Sequence, residues 1–198
     1  MMQNYPTTAL VILAGGQATR MNGENKLLQS FDHEIQLLKI YKAFLGQVNE
    51  IWINSHRDYD RYLELISDIG YFKDETDGFL GPLIGMKSAW SHVQSDYVLF
   101  IPCDITEIPQ DILLYLHQAL EQNPLSSVAY VSINGQALYP FCLLKRSSVE
   151  TLSKHLDLQQ LSLRRCFAEL APQIVNIQNQ NLNYHSLNSF EELQQYQK

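Results

Sequence analysis

The sequence predicts a three-layer α/β fold: a mainly parallel sheet with helices on both faces and a small antiparallel element in the C-terminal half. Three observations carry that prediction. Short apolar runs alternate with helix-period segments up to about residue 123, the pattern of repeated strand–helix–strand units. One of those runs, Tyr97–Pro102 (YVLFIP), is apolar almost throughout, as a strand covered on both faces must be. Past residue 123 the alternation stops, and two extended segments flank Asn134-Gly135, a dipeptide suited to the positive φ angles of a tight hairpin turn.

Taken in order, Thr8–Leu13 (TALVIL) predicts a buried strand running straight into glycines. Ala14–Asn25 has no periodicity and reads as a loop. Ile35–Leu45 spaces its apolar residues as an amphipathic helix. Glu50–Asn54 (EIWIN) is a second strand, Tyr59–Ile69 a helix with Asp58 as its cap, and Tyr71–Lys73 a short third strand. Asp74–Gly85 reads as a second glycine-containing loop and Met86–Val93 as a helix. After Tyr97–Pro102, Pro109 marks a helix start leading into Ile112–Leu120. Ser127–Ile133 and Gln136–Leu144 form the antiparallel pair. Helices at Ser147–His155 and Leu161–Leu170, a strand at Gln173–Ile177, a polar loop at Gln178–Asn183 and a terminal helix at Phe190–Tyr196 complete the order. No repeat or linker divides the chain, so a single domain over 1–198 is expected.

With 198 residues, 45% of them apolar and 18% charged, the chain can bury a full core. The net charge of −7 and the lack of a dense basic stretch argue against a nucleic-acid partner. An acidic chain that handles polyanions must concentrate its few cations locally and recruit a metal. Cys103, Cys142 and Cys166 are too widely spaced for a disulfide framework or a zinc site. The histidines show no paired-ligand spacing, and Arg57, Arg164 and Arg165 read as solvated. The first residues have no basic segment followed by a long apolar run, and no stretch approaches the roughly 20 apolar residues of a membrane span. A cytoplasmic protein with no membrane partner is the expectation.

Three segments carry chemistry. Leu13-Ala14-Gly15-Gly16-Gln17-Ala18-Thr19-Arg20-Met21 follows the first strand, and ligands in open parallel sheets bind beyond the strands' carboxyl ends. Glycines there let backbone N–H groups approach phosphates. Arg20 and Lys26 supply cations against phosphoryl charge. Neither a Walker A loop nor GxGxxG is present. Pro102-Cys103-Asp104 ends the most apolar strand and sets Asp104 at the same edge of the sheet. Magnesium takes one or two protein carboxylates and completes its octahedron with water and phosphate oxygens, a role that suits Asp104. In Gly81-Pro82-Leu83-Ile84-Gly85-Met86, Pro82 stiffens the turn and Gly85 allows backbone contact with a flat base. Asp74 and Asp77, just upstream, can accept hydrogen bonds from ring or ribose donors.

Together these segments resemble the molybdenum cofactor guanylyltransferases, the family that attaches GMP to molybdopterin. The family opening, approximately LAGGxxxRMGGxDK, stands here as LAGGQATRMNGENK from Leu13 to Lys26. GPLxGM is intact at Gly81–Met86, PCD at Pro102–Asp104, and an NxNTPEEL-like segment runs from Ser186 to Leu193. The resemblance implies a Rossmann-like nucleotidyltransferase fold, with the nucleotide on about 8–123 and the cofactor substrate on about 124–198. It implies GTP and molybdopterin as substrates, Mg²⁺ as metal and pyrophosphate as product. Carried over by position, the GTP-binding set is Leu13, Ala14, Gly15, Gly16, Lys26, Asn54, Asp74, Gly81, Pro82, Leu83 and Asp104. Lys26, Arg20 and Asp104 form the catalytic set, with Asp104 also the metal ligand. Tyr139-Pro140 stands on the pterin side. A monomer that hands its product to cofactor insertion or maturation proteins is expected. Asn22 stands in place of a family glycine, Asn25 of an aspartate, Ser186 of an asparagine and Phe190 of a proline. A cytidylyl- or sugar-1-phosphate nucleotidyltransferase of the same fold, and a nucleotide- or cofactor-binding protein without turnover, remain open from the residues; turnover with GTP, CTP and UTP separates them.

Overall fold

The computed structural model describes residues 6–15, 25–31, 33–76, 78, 80–105 and 107–178. Gly16, Arg20, Asn22, Asp77, the segment Ser186–Leu193 and the expected terminal helix lie outside the described residues. In chain order the elements are β1 (Thr8–Leu13), β2 (Ser30–Phe31), β3 (Glu34–Ile35), α1 (Gln36–Phe44), β4 (Glu50–Asn54), α2 (Tyr59–Leu65), β5 (Gly70–Phe72), α3 (Pro82–Ala89) and β6 (Tyr97–Pro102). They continue with α4 (Ile112–Gln122), β7 (Val128–Ile133), β8 (Gln136–Lys145), α5 (Val149–Asp157), α6 (Leu163–Ala168) and β9 (Gln173–Ile177).

A seven-stranded sheet has the order β5-β4-β1-β6-β8-β7-β9. β4, β5 and β6 lie parallel to the β1 direction. β8 pairs antiparallel with both β6 and β7, while β7 and β9 are parallel, so β8 alone opposes the rest. The β7–β8 hairpin turns on Asn134 (φ 49°) and Gly135 (φ 83°), the left-handed pair a two-residue turn requires. Side-chain alternation divides the core. Leu10 and Ile12 pack with α1 and α4 on one face, and Ala9, Val11 and Leu13 with α3, α5 and α6 on the other. All six residues of β1 are buried, which is why its sequence is an unbroken apolar run. α4 buries Ile112, Leu113, Leu116 and Leu120, each contributing about 1.5–3 kcal/mol.

Several boundaries differ from the sequence expectations for identifiable reasons. α3 starts at Pro82 rather than Met86: Gly81 (φ 71°) turns the chain and Pro82 takes the first helical position. Gly85 is therefore inside a helix and buried, not in a loop. α2 stops at Leu65, because Ile66 turns extended; Ile66 and Ile69 still bury their side chains. Asp58 and Asp111 precede α2 and α4 in left-handed conformation and make no side-chain cap bond. Pro109 thus sits ahead of α4, outside its first turn. The register between β7 and β8 jumps from Tyr130↔Cys142 to Val131↔Leu138, so Tyr139, Pro140 and Phe141 bulge out of the ladder. Pro140 has no N–H to offer a ladder, so a bulge is where a strand can hold it. Among the described residues no helix is long and apolar enough to cross a membrane.

Candidate functional site

Parallel registration aligns three strand ends. Leu13 stands opposite Asn54 of β4 on one side and Pro102 of β6 on the other. The departing loops are tied together at their first residues: Ala14 N–H donates to the Asn54 carbonyl (2.9 Å), and Cys103 N–H to the Leu13 carbonyl (3.2 Å). Over these ends opens a cavity of about 480 Å³. Leu13, Ala14 and Gly15 line it from β1, Asn25 and Lys26 from the short 3-10 turn, and Asn54, Arg57 and Asp74 from beyond β4 and β5. Gly81 and Pro82 close it from the start of α3, Pro102, Cys103 and Asp104 from β6, and Pro140 from the β8 bulge.

On one side of this cavity, Lys26 Nζ lies 3.4 Å from Asp104 Oδ2, with side-chain exposures of 16% and 18%. Lys26 opens a 3-10 helix, Lys26–Leu28, capped by Asn25, whose Oδ1 accepts from Leu27 N–H. The same Asn25 side chain donates to Asp58 Oδ2 and to Tyr62 Oη, both at 2.7 Å. It therefore fastens the lysine turn to α2, and Asp58 spends its carboxylate on that link. The Asp104 turn is held from behind by Gln36, whose buried Nε2 donates to the carbonyls of Cys103 (3.2 Å) and Ile105 (2.6 Å). The Cys103 thiol is pushed up to about 12, first by burial and then by the neighbouring Asp104 charge, with Lys26 opposing. It stays protonated at neutral pH and is no nucleophile.

On the other side, Asp74 is nearly buried. Its Oδ1 accepts from Asn54 Nδ2 (2.8 Å), and its Oδ2 meets His56 Nε2 (3.0 Å). A hydrogen bond from Glu75 N–H to Ser88 Oγ (3.0 Å), together with the Glu75–Lys87 ion pair, straps this segment to α3. Gly85 packs against the same asparagine: a Cβ there would stand 2.4 Å from Asn54 Oδ1. Its glycine is required for the close packing of α3 on Asn54.

The structure gathers Leu13, Ala14, Gly15, Lys26, Asn54, Asp74, Gly81, Pro82 and Asp104 around one cavity. Leu83 is apart from them, fully buried in the core beneath α3. Arg57 is exposed, as expected from the sequence, with 42% of its side chain accessible, and it also stands on the cavity wall with Nε 3.6 Å from Asp58. Its position just past the end of β4 was the available signal. The Asn25 and His56 links had none, since each depends on which strands become neighbours.

A sequence profile described as the MobA-like NTP transferase domain matches residues 10–174. The chain belongs to the MobA-like NTP transferase family. Molybdenum cofactor guanylyltransferases from two strains of Acinetobacter baumannii are 60% identical to this MobA-like chain over 198 residues, 100% of this chain and 95% of theirs. The molybdenum cofactor guanylyltransferase of Pasteurella multocida is 38% identical over 76% of this chain and 78% of its own. Among solved structures, molybdopterin-guanine dinucleotide biosynthesis protein A from Archaeoglobus fulgidus superposes with a TM-score of 0.70 at 13% identity, covering 95% of this chain and 96% of that one. CMP:2-keto-3-deoxy-manno-octonic acid synthetase complexed with CTP gives 0.69 at 15% identity, covering 96% of each chain. These structural likenesses establish the fold. The MobA-like chain is an enzyme, a nucleotidyltransferase, and nucleotidyltransferases of this kind generally use a divalent metal ion.

Proposed function

We propose that this chain transfers GMP from GTP to the terminal phosphate of molybdopterin, releasing pyrophosphate and forming the guanine dinucleotide form of the cofactor. The observation that carries the proposal is the convergence of a glycine backbone (Gly15), an ammonium group (Lys26) and a carboxylate (Asp104) on one cavity at the aligned ends of β1, β4 and β6. It stands in a chain 60% identical to named molybdenum cofactor guanylyltransferases.

The reaction is an in-line displacement. A phosphate oxygen of molybdopterin forms a bond to the α-phosphorus of GTP, and the bond from that phosphorus to the bridging oxygen breaks, leaving its electron pair on pyrophosphate. No protein nucleophile is needed, in keeping with the protonated Cys103 thiol. Catalysis is then positioning and charge stabilisation. Backbone at Leu13, Ala14, Gly15 and Gly16 approaches the nucleotide, and Asn54, Asp74, Gly81 and Pro82 shape the base and ribose end, with Leu83 supporting from the core. Lys26 and Arg20 offset the negative charge of the phosphates. Asp104 is a hard oxygen donor on the cavity wall, 18% exposed, and fits a magnesium ion that completes its shell with water and phosphate oxygens. When bound, Mg²⁺ supplies neutralisation of phosphoryl charge.

In the same reading one domain spans 1–198, with the nucleotide on about 8–123 and the acceptor on about 124–198, where Tyr139-Pro140 stands beside the cavity. The protein acts as a cytoplasmic monomer that passes its product to cofactor insertion or maturation proteins, without nucleic-acid or membrane partners. Pyrophosphate release with GTP, Mg²⁺ and molybdopterin tests the reading. Asp104→Ala should lower the rate at least 100-fold, as loss of a charge-stabilising group does. A near-normal rate removes the metal assignment, and equal turnover with CTP removes the guanylyl assignment.

A further inference from the structure

The carboxylate of Asp74 is gripped on both oxygens by side chains from the end of β4 and the loop that follows it. Asn54, the last residue of β4, takes Oδ1 (2.8 Å), and His56, just beyond it, takes Oδ2 (3.0 Å). A carboxylate only accepts, so His56 Nε2 carries the proton of that bond. Asp74 itself comes from the next strand over, just past Phe72 of β5. Two neighbouring strand ends therefore fix one acceptor group against the cavity, and its side chain is only 6% exposed. The backbone of Gly15 closes over the same cluster: a Cβ there would meet Asn54 Oδ1 at 3.0 Å, His56 Nε2 at 3.5 Å and Asp74 Oδ2 at 3.6 Å. Asn54, Asp74 and Gly15 all line the cavity; His56 is not among its lining residues and reaches it through Asp74, with 35% of its side chain exposed.

A carboxylate held on both oxygens keeps its remaining lone pairs in a fixed plane. Guanine presents two adjacent donors on one edge, the ring N1–H and the exocyclic 2-amino group, spaced to meet both oxygens of one carboxylate. Cytosine and adenine offer an amino group beside a ring acceptor, and uracil a lone N–H between carbonyls. Only guanine among the four rewards a carboxylate whose rotation is stopped, and leaving a buried acceptor unmatched is costly for the others. We propose that His56 is a positioning residue for base choice: it locks the plane of Asp74 so that both oxygens meet the guanine edge. The inference rests on the guanylyltransferase reading, which it deepens by naming the side chain that enforces the base.

The test uses the whole chain and binding of GTP, ITP and CTP measured by calorimetry without acceptor. ITP keeps the ring N1–H of guanine and lacks only the 2-amino group. His56→Leu removes the ring donor while keeping apolar bulk; His56→Gln keeps a donor. The wild type should bind GTP more tightly than ITP and CTP. In His56→Leu, GTP should weaken about 10-fold, or about 1.4 kcal/mol, and ITP should weaken less, so that the GTP/ITP ratio falls towards one. His56→Gln should recover a large part of the ratio. In turnover, KM for GTP should rise in His56→Leu while kcat holds, since the contact is made before the transition state. Thermal unfolding of both variants checks that the fold persists, and His56→Ala, which also lacks the donor at this exposed position, carries the test if the leucine variant does not fold. A GTP affinity and GTP/ITP ratio within twofold of wild type overturn the inference. So does an equal loss for all three nucleotides that glutamine does not relieve, because that marks packing alone. A wild type with no preference for GTP over CTP removes the guanylyl reading and this inference with it; a wild type that prefers GTP, with a leucine variant whose GTP/ITP ratio is unchanged, removes this inference only.

Discussion

Gly85→Ala probes the tightest contact behind the cavity. Gly85 lies inside α3 and is not among the positive-φ glycines, so its backbone conformation suits alanine. The added carbon would stand 2.4 Å from Asn54 Oδ1, 3.0 Å from its Cγ and 3.2 Å from Leu13 Cδ2. Neither neighbour has room to yield. Asn54 is 3% exposed and bonded to Asp74, and Leu13 is 9% exposed within the core. Two effects oppose one another. Alanine in a helix interior is worth about 1 kcal/mol over glycine. Overpacking costs about 1–3 kcal/mol, and displacing Asn54 from a carboxylate loses a charged hydrogen bond worth about 1.5–3 kcal/mol. The loss wins, by about 1.5–5 kcal/mol on these magnitudes. In a chain of 198 residues that corresponds to a fall in Tm of roughly 3–20 °C. GTP affinity should drop about 10-fold, because Asn54 lines the cavity and anchors Asp74. Chemical denaturation and calorimetric GTP titration measure the two effects. An alanine variant as stable as wild type, with unchanged GTP affinity, would show that α3 shifts freely and that Asn54 is not held by it; the account of Gly85 would then be wrong.

Two further predictions concern groups away from the phosphates. Asn25→Asp puts a second carboxylate against Asp58 in place of the 2.7 Å bond donated by Asn25 Nδ2; a loss of about 1–3 kcal/mol at pH 7 is expected, shrinking as pH falls towards 4 and a proton is shared, measured by urea unfolding at both pH values. His117, bonded to Thr8 Oγ1 at 3.0 Å, is lowered by burial to about 4 from an ordinary 6.5. Between those values the unfolded chain binds a proton that the folded chain refuses, so stability falls as pH drops through that window, by about 3 kcal/mol in all. His117→Gln should lack this contribution, and a pH–stability profile identical to wild type refutes the assignment.

What the sequence made legible follows from where the information sits. A strand buried on both faces leaves an unbroken apolar run, so β1 and β6 were readable within a residue, and the half-buried β4 and β9 were also placed at the observed residues. Because such strands align in parallel, the segments following Leu13 and Pro102 had to emerge at one edge, and LAGG and PCD could be placed together before any coordinates. α3 was misplaced because glycine and proline signal loops by local rules. In Gly81–Met86 the proline opens a helix, and Gly85 is dictated by Asn54, a residue far off in sequence. Arg57 is exposed as its sequence context suggests, but its place on the cavity wall was not legible, since which way a residue past a strand end turns depends on its neighbours in space.

The same distinction explains why motifs can be intact around substituted positions. Asn25 departs from the usual family aspartate, yet in this chain it faces Asp58 and Tyr62, and only an amide can cap the Lys26 turn through its oxygen while donating to both partners through its nitrogen. An aspartate there would hold the cap and lose both donations. Asp58, which makes no cap bond to α2, receives the amide on its carboxylate alongside Arg57. Lys26 is carried by the turn that this exchange secures and lies 3.4 Å from Asp104, while the Asn25 amide is engaged with Asp58 and Tyr62. Position 25 therefore sets the placement of the lysine and not its charge environment through an ion pair, so an asparagine there is compatible with phosphate chemistry at the cavity.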